Sequence, residues 1–357
     1  MIVAAAALVA CSDNVDEGDD VVAGELLTVR KISLSVDGGL VADPAEPATR
    51  AMGTDFQNSE FAEGTQVGVF ILTAADYLNN PSAPAEPVTP PSGVYDSEAQ
   101  RLIDDAYRTG KYIYENVKAT IAADGSLQRA DGLDFIYPVL VSESVAIIAY
   151  APYKEGVTID NLTSGMLLQV AADQSAASGM QASDVLMAVP SQGNPMRTSI
   201  GQAVSLTFRH VMSNIQLNLK INNEKKYRSD SIIVKLKNVR RTATLMPLLS
   251  SRAYENAEFT GAVFGNDIGE NTDAVVIARI KGINAGSGTV VERVCNAIVP
   301  PQAIPAASPL AFEITFKRRT YSSTDLVVER PEPTETDVAL LSGKKRLYNA
   351  SIPRRKI

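Results

Sequence analysis

The chain has 357 residues, more than one small domain needs and enough for about two of ordinary size. Its 45% hydrophobic content is that of a globular protein, and a formal charge of −8 without a Lys/Arg-rich run among aromatics argues against nucleic acid as partner. A single histidine, His210, excludes multi-histidine metal sites, and the two cysteines, Cys11 and Cys295, sit in contexts too different for a disulfide framework.

Taken in order, Met1–Ala10 is purely apolar and too short to span a bilayer, which needs about 20 residues. It fits the apolar core of a secretory signal. Leu8-Val9-Ala10-Cys11 resembles the bacterial lipobox, in which the cysteine is lipidated and becomes residue one. The alternative is an apolar stub with an incidental cysteine. Asp13, Asp16, Glu17, Asp19 and Asp20 follow, similar to a lipoprotein surface-export signal, so residues 1–25 read as signal and acidic linker.

Leu26–Val36 reads as a strand, because Ile32, Leu34 and Val36 alternate with Lys31, Ser33 and Ser35. A Gly/Pro/Ala linker leads from it to Thr49-Arg50-Ala51. Gln66–Leu72 is the next strand, and the proline-rich stretch Asn79–Gly93 is a surface loop. Lys111–Ile121, Asp134–Pro138 and Ser144–Tyr153 read as further strands.

Ala203–Ile221 carries the strongest organisational signal. Val204, Leu206 and Phe208 share one alternation phase, whereas Ile215, Leu217, Leu219 and Ile221 follow the opposite one. A strand has a side-chain period of two, so the apolar face must turn over between them. Two strands serving two cores, joined at His210–Ser213, explain this; a single strand with a β-bulge would also shift the phase. The first reading divides the chain into an N-terminal β-domain, 26–212, and a C-terminal one, 213–357. Ser231–Lys237, Ala274–Ile280, Thr289–Val299, Leu310–Phe316, Asp325–Glu329 and Arg346–Ile352 read as strands at the spacing of an all-β sandwich.

Motifs of catalysis are missing. The chain has no Gly-x-Ser-x-Gly, Gly-x-x-x-x-Gly-Lys or His-Glu-x-x-His, and Val338 stands where a P-loop ending in Gly343-Lys344 would need glycine. Adjacent Asp104 and Asp105 read as a solvated surface. His210 is the one candidate general base, but at a domain crossing it reads as a hydrogen-bonded joint residue. No enzymatic activity, cofactor or metal is expected. Tyr95, Tyr107, Tyr112 and Tyr114 lie close enough in sequence to form a sugar-stacking patch, which keeps a monomeric glycan-binding surface lipoprotein as the competing reading.

Several patterns then combine. Val67-Gly68-Val69-Phe70, Tyr150-Ala151-Pro152-Tyr153 and Ser183-Asp184-Val185-Leu186-Met187-Ala188 occur in that order. Phe208-Arg209-His210, Ser213-Asn214-Ile215, Val299-Pro300-Pro301-Gln302 and Leu341-Ser342-Gly343-Lys344 with Tyr348 follow. Together they resemble the fimbrillin-like proteins of Bacteroides and Porphyromonas relatives. The resemblance implies two transthyretin-like Greek-key β-sandwich domains in tandem, and an outer-membrane lipoprotein anchored through Cys11. It implies a cell-surface fimbria whose other subunits are the partners, together with a host or bacterial surface ligand. It further implies proteolysis after an arginine, here Arg50, which removes the first strand so that another subunit inserts one. Pro353-Arg354-Arg355-Lys356-Ile357 is a poor donor segment, so a tip-type subunit is expected.

Overall fold

The computed structural model describes residues 29–32, 34–36, 61, 63–73, 114–133, 135–138, 145–188, 204–206, 208–222, 232–247, 264–265, 273–280, 290–316, 319–321, 327–329, 338–343 and 345–352. Over these the chain is all-β with two short helices. The stretch expected as one N-terminal strand is two, β1 (Val29–Ile32) and β2 (Leu34–Val36), because each half bonds a different sheet. They are followed by β3 (Gln66–Thr73), β4 (Tyr114–Ile121), β5 (Leu127–Arg129), β6 (Phe135–Pro138) and β7 (Val145–Ala151). Helix α1 (Ile159–Ser164), β8 (Met166–Gln169), helix α2 (Ala177–Ser183), β9 (Leu186–Ala188), β10 (Val204–Leu206) and β11 (Phe208–His210) complete this part.

A six-stranded sheet ordered β11-β9-β7-β3-β4-β5 is buried on both faces. Val67, Val69, Ile71, Ile147 and Ala149 enter one cluster; Phe70, Leu72, Ala146, Ile148 and Tyr150 enter another beneath α1. Double burial is why Val-Phe-Ile-Leu and Val-Ala-Ile-Ile run without polar interruption instead of alternating. Gly68 faces Tyr150 across β3 and β7, and the Tyr150 ring occupies the space a Gly68 side chain would need.

The phase reversal is a crossing and not a bulge. Val204 and Leu206 pack in the first cluster with Phe208 against it. Val211 and Met212 enter the second cluster. The chain then starts β12 (Ser213–Asn222), whose Ile215, Leu217, Leu219 and Ile221 lie in a third. That third core fills a sandwich built from β12 together with β13 (Ile232–Val239), β15 (Asp273–Ile280) and β16 (Val290–Val299), while β14 (Thr242–Leu245), between β13 and β15 in the chain, pairs with β8 and sends Leu245 into the second cluster. Then come β17 (Gln302–Ile304), β18 (Ala311–Phe316), β19 (Arg319–Tyr321), β20 (Val327–Glu329), β21 (Val338–Leu340) and β22 (Lys345–Ile352). Its two four-stranded sheets are ordered β16-β12-β22-β20 and β15-β13-β18-β19. Apolar residues alternate cleanly here because each sheet has one buried face.

The β8–β14 ladder, Gln169↔Thr242 to Met166↔Leu245, joins the two parts across the crossing.

Candidate functional site

The N-terminal strands β1 and β2, adjacent in the chain, enter two different two-stranded sheets. β1 is antiparallel to β6, with Ile32 opposite Phe135 and Val29 opposite Pro138. β2 runs parallel to β10, with Leu34 opposite Val204 and Val36 opposite Leu206. Among the described residues, β1 is the only ladder partner of β6 and β2 the only one of β10. Taking β1 and β2 away would leave β6 and β10 without a ladder partner among the described residues, beside a cluster that contains Phe135, Val204 and Leu206. Unpaired strand edges over apolar side chains are a template for an incoming strand.

A cation lies behind this slot. Arg129 on β5 is only 7% exposed, and its guanidinium stands 5.4 Å from the Tyr114 ring centre and 5.8 Å from that of Phe135. The two rings meet edge to face at 5.4 Å. A buried guanidinium needs a counter-charge, and Asp131 supplies it: Arg129 Nε donates to Asp131 Oδ1 at 3.0 Å and Nη2 donates to Oδ2. The Leu133 backbone N–H donates to the same Oδ1 at 3.1 Å, fixing the turn that enters β6. Desolvation pushes the Asp131 carboxyl up, but the Arg129 and Leu133 hydrogen bonds and the Arg129 charge outweigh it and hold it below the usual carboxylate range.

The crossing at 210–213 is a second concentration of polar groups. His210 Nδ1 and Asp184 Oδ1 are 2.8 Å apart, both buried, as β11 pairs with β9 directly after α2. Ser342 Oγ donates to the Val211 carbonyl at 2.9 Å, the Gly343 N–H donates to that of Met212, and Ser213 Oγ donates to Leu341 O at 2.6 Å. Gln174 Nε2 donates to Ile298 O at 2.8 Å, and the Ile298 N–H returns a 2.7 Å bond to Gln174 Oε1. Each of these bonds goes to a backbone group or, at His210, to the Asp184 carboxyl, so these side chains act as joints of the fold.

With that geometry in place, comparison with known proteins is decisive. The fimbrillin-like family model matches residues 49–357. The chain belongs to the fimbrillin-like family. As a fimbrillin-like protein it is a fimbrial protein of the cell surface. Two solved structures share the fold. A candidate cell-adhesion protein of Bacteroides uniformis is 15% identical over 91% of this chain and 93% of that one, with a TM-score of 0.52. One from Bacteroides ovatus is 16% identical over 91% of this chain and 92% of that one, with a TM-score of 0.51. No curated protein matches the chain.

The residues singled out from sequence fare unequally. Cys11 and Arg50 lie outside the described residues, as do Tyr95, Tyr107, Tyr112, Asp104, Asp105 and Lys344. Tyr114 is core, 3% exposed, and unavailable for stacking a sugar. Cys295 is buried in the sandwich, with its thiol pushed up to about 11 by burial. Sequence reasoning missed Arg129 and Asp131. The signal lay in the Leu127–Arg129 alternation, which puts Arg129 on the buried face, ahead of an Asp-Gly turn.

Proposed function

We propose that this fimbrillin-like protein is a lipidated fimbrial subunit that accepts a strand from another subunit after losing its own first strand. Signal cleavage leaves lipidated Cys11 as the outer-membrane anchor, cleavage after Arg50 releases residues 29–36, and a neighbour's strand replaces them. The single observation that carries the reading is the slot: β1–β2 bonds two sheets at once, with opposite strand polarity, and both sheets lose their ladder when it leaves. Residues 26–212 and 213–357 form two domains in this reading, supported by the switch of core between Leu206 and Ile215. β22 is not the strand to donate, since it is bonded by β12 on one edge and β20 on the other. The role is one of assembly and adhesion, without catalysis.

The test is N-terminal sequencing and lipid analysis of the protein in assembled and cell-bound fractions. Assembled material should begin at Ala51, and anchored, unassembled material at a lipid-bearing Cys11. Multimers whose subunits all retain residues 26–36 would overturn strand replacement, and unchanged membrane fractionation of Cys11→Ser would overturn the anchor.

A further inference from the structure

The slot raises a physical problem that the Arg129 cluster answers. With β1 gone, β6 has no ladder partner among the described residues, and an apolar groove left open to water would close on itself. Among the described side-chain contacts, Phe135 then ties β6 to the rest of the molecule, its ring meeting Tyr114 of β4 at 5.4 Å and the Arg129 guanidinium at 5.8 Å. The backbone just ahead of β6 is tied too. Asp131 accepts from Arg129 Nε and from the Leu133 N–H, and Gly132 N donates to Arg129 O at 3.0 Å.

We propose that Arg129 and Asp131 form a bracket that holds β6 at its paired position while the slot is empty, so that an incoming strand finds a preformed edge. The proposal rests on the strand-replacement reading and assigns two positioning residues to it. Arg129 acts through Phe135 and through the turn at Asp131–Leu133. Its planar fork grips the carboxylate with two nitrogens while its face lies over the rings, a combination a lysine ammonium cannot reproduce. An arrangement that only added stability would serve equally well in the intact and emptied forms; a bracket has its main effect when the slot is empty. The gain is kinetic, because strand capture by a preformed edge avoids ordering β6 during the encounter.

The experiment uses the full chain, intact and cut after Arg50 with an arginine-specific protease, with a fluorescent peptide copying residues 26–36 as probe. Asp131→Asn keeps the side-chain acceptor and loses the charge; Arg129→Lys keeps the charge and loses the fork. Both variants should remain folded when intact. After cutting and release of the first strand, both should capture the peptide roughly tenfold more slowly than wild type, with a nearly unchanged off-rate. Hydrogen exchange of the Ile136 and Tyr137 amides should be faster in the emptied variants than in emptied wild type. Equal capture rates and equal exchange would overturn the bracket while leaving strand replacement standing. Failure of cut, emptied wild type to capture the peptide at all would overturn strand replacement and the bracket with it.

Discussion

Gly68 and Tyr150 interlock across the centre of the six-stranded sheet. A Cβ built on Gly68 would stand 2.5 Å from Tyr150 Cε1. The ring cannot withdraw, for its hydroxyl is within hydrogen-bond distance of Asn116 Oδ1 at 2.8 Å and Lys154 O at 3.0 Å, and its face packs on Phe70. Burial of this ring pushes the Tyr150 phenol well above its ordinary range, so the hydroxyl stays protonated. Gly68→Ala should therefore destabilise by about 1–3 kcal/mol in chemical denaturation, the usual penalty of overpacking. A variant as stable as wild type would show that the ring moves freely.

His210 and Asp184 give a second prediction. Removing one member of a buried hydrogen-bonded pair leaves the other short of a partner, at a cost of about 1–3 kcal/mol. His210→Ala should show a loss of that order in urea unfolding. A catalytic role would instead have left stability nearly untouched.

These residues explain what could be read in advance and what could not. The family motifs are mostly joints. Ser183 accepts from the Ala171 N–H and donates to Gly179 O, Gln302 bonds the Arg240 backbone from both ends of its amide, and Ser342 caps the crossing at Val211. Such residues are recognisable because each meets a fixed backbone group. Strands in the one-face-buried sandwich were legible from their alternation. Strands β5, β8, β14, β17, β19 and β21 were not, because three or four residues carry too little period to separate them from turns. The slot was legible only as an N-terminal strand: that its halves bond two sheets, and that Arg129 stands behind it, depends on contacts distant in sequence.

Cys295 supplies a pH prediction. Burial pushes its thiol up to about 11, partly offset by the Arg293 charge, against an ordinary value of 9.0. An acid whose pKa is raised by folding contributes stability that is full below the unfolded value and is lost as pH rises through the folded one. Stability should thus fall between about pH 9 and 11 more steeply in wild type than in Cys295→Ala. At pH 8 iodoacetamide should label Cys295 only after unfolding, and rapid labelling of the native protein would place the thiol at the surface.

Strand β22 yields a prediction about donation. It lies inside its sheet, pairing Asn214↔Lys345 through Ile221↔Ile352 with β12 and Val328↔Ala350 with β20. A peptide copying residues 346–357 should not enter the emptied N-terminal slot under conditions where a peptide of residues 26–36 does. Its positively charged end would be costly to bury beside Phe135 and Leu206. Efficient entry would make this strand a donor and reverse the assignment.

Gln174 gives the last prediction, and it concerns how the two parts of the chain respond to load. Its amide reads the backbone of Ile298 from both sides, donating at 2.8 Å and accepting at 2.7 Å, while its own N–H donates to Val276 O. Beside it, Arg279 Nη2 meets Asp173 Oδ2 at 2.9 Å, and the Val276 N–H donates to Ala172 O. Gln174→Leu is close in size but removes both side-chain bonds, leaving the buried N–H and C=O of Ile298 short of a partner. Orphaning such groups costs about 1–3 kcal/mol each. The loss falls where the segment 172–174 meets β15 and β16, at the edge of the second cluster, which Ile298 itself enters. Wild type should therefore unfold in one transition and Gln174→Leu in two, the tryptic pattern of the variant showing one part digested before the other. A single shifted transition in the variant would mean that the β8–β14 ladder and the backbone bonds between 172–174 and Val276 are enough to couple them.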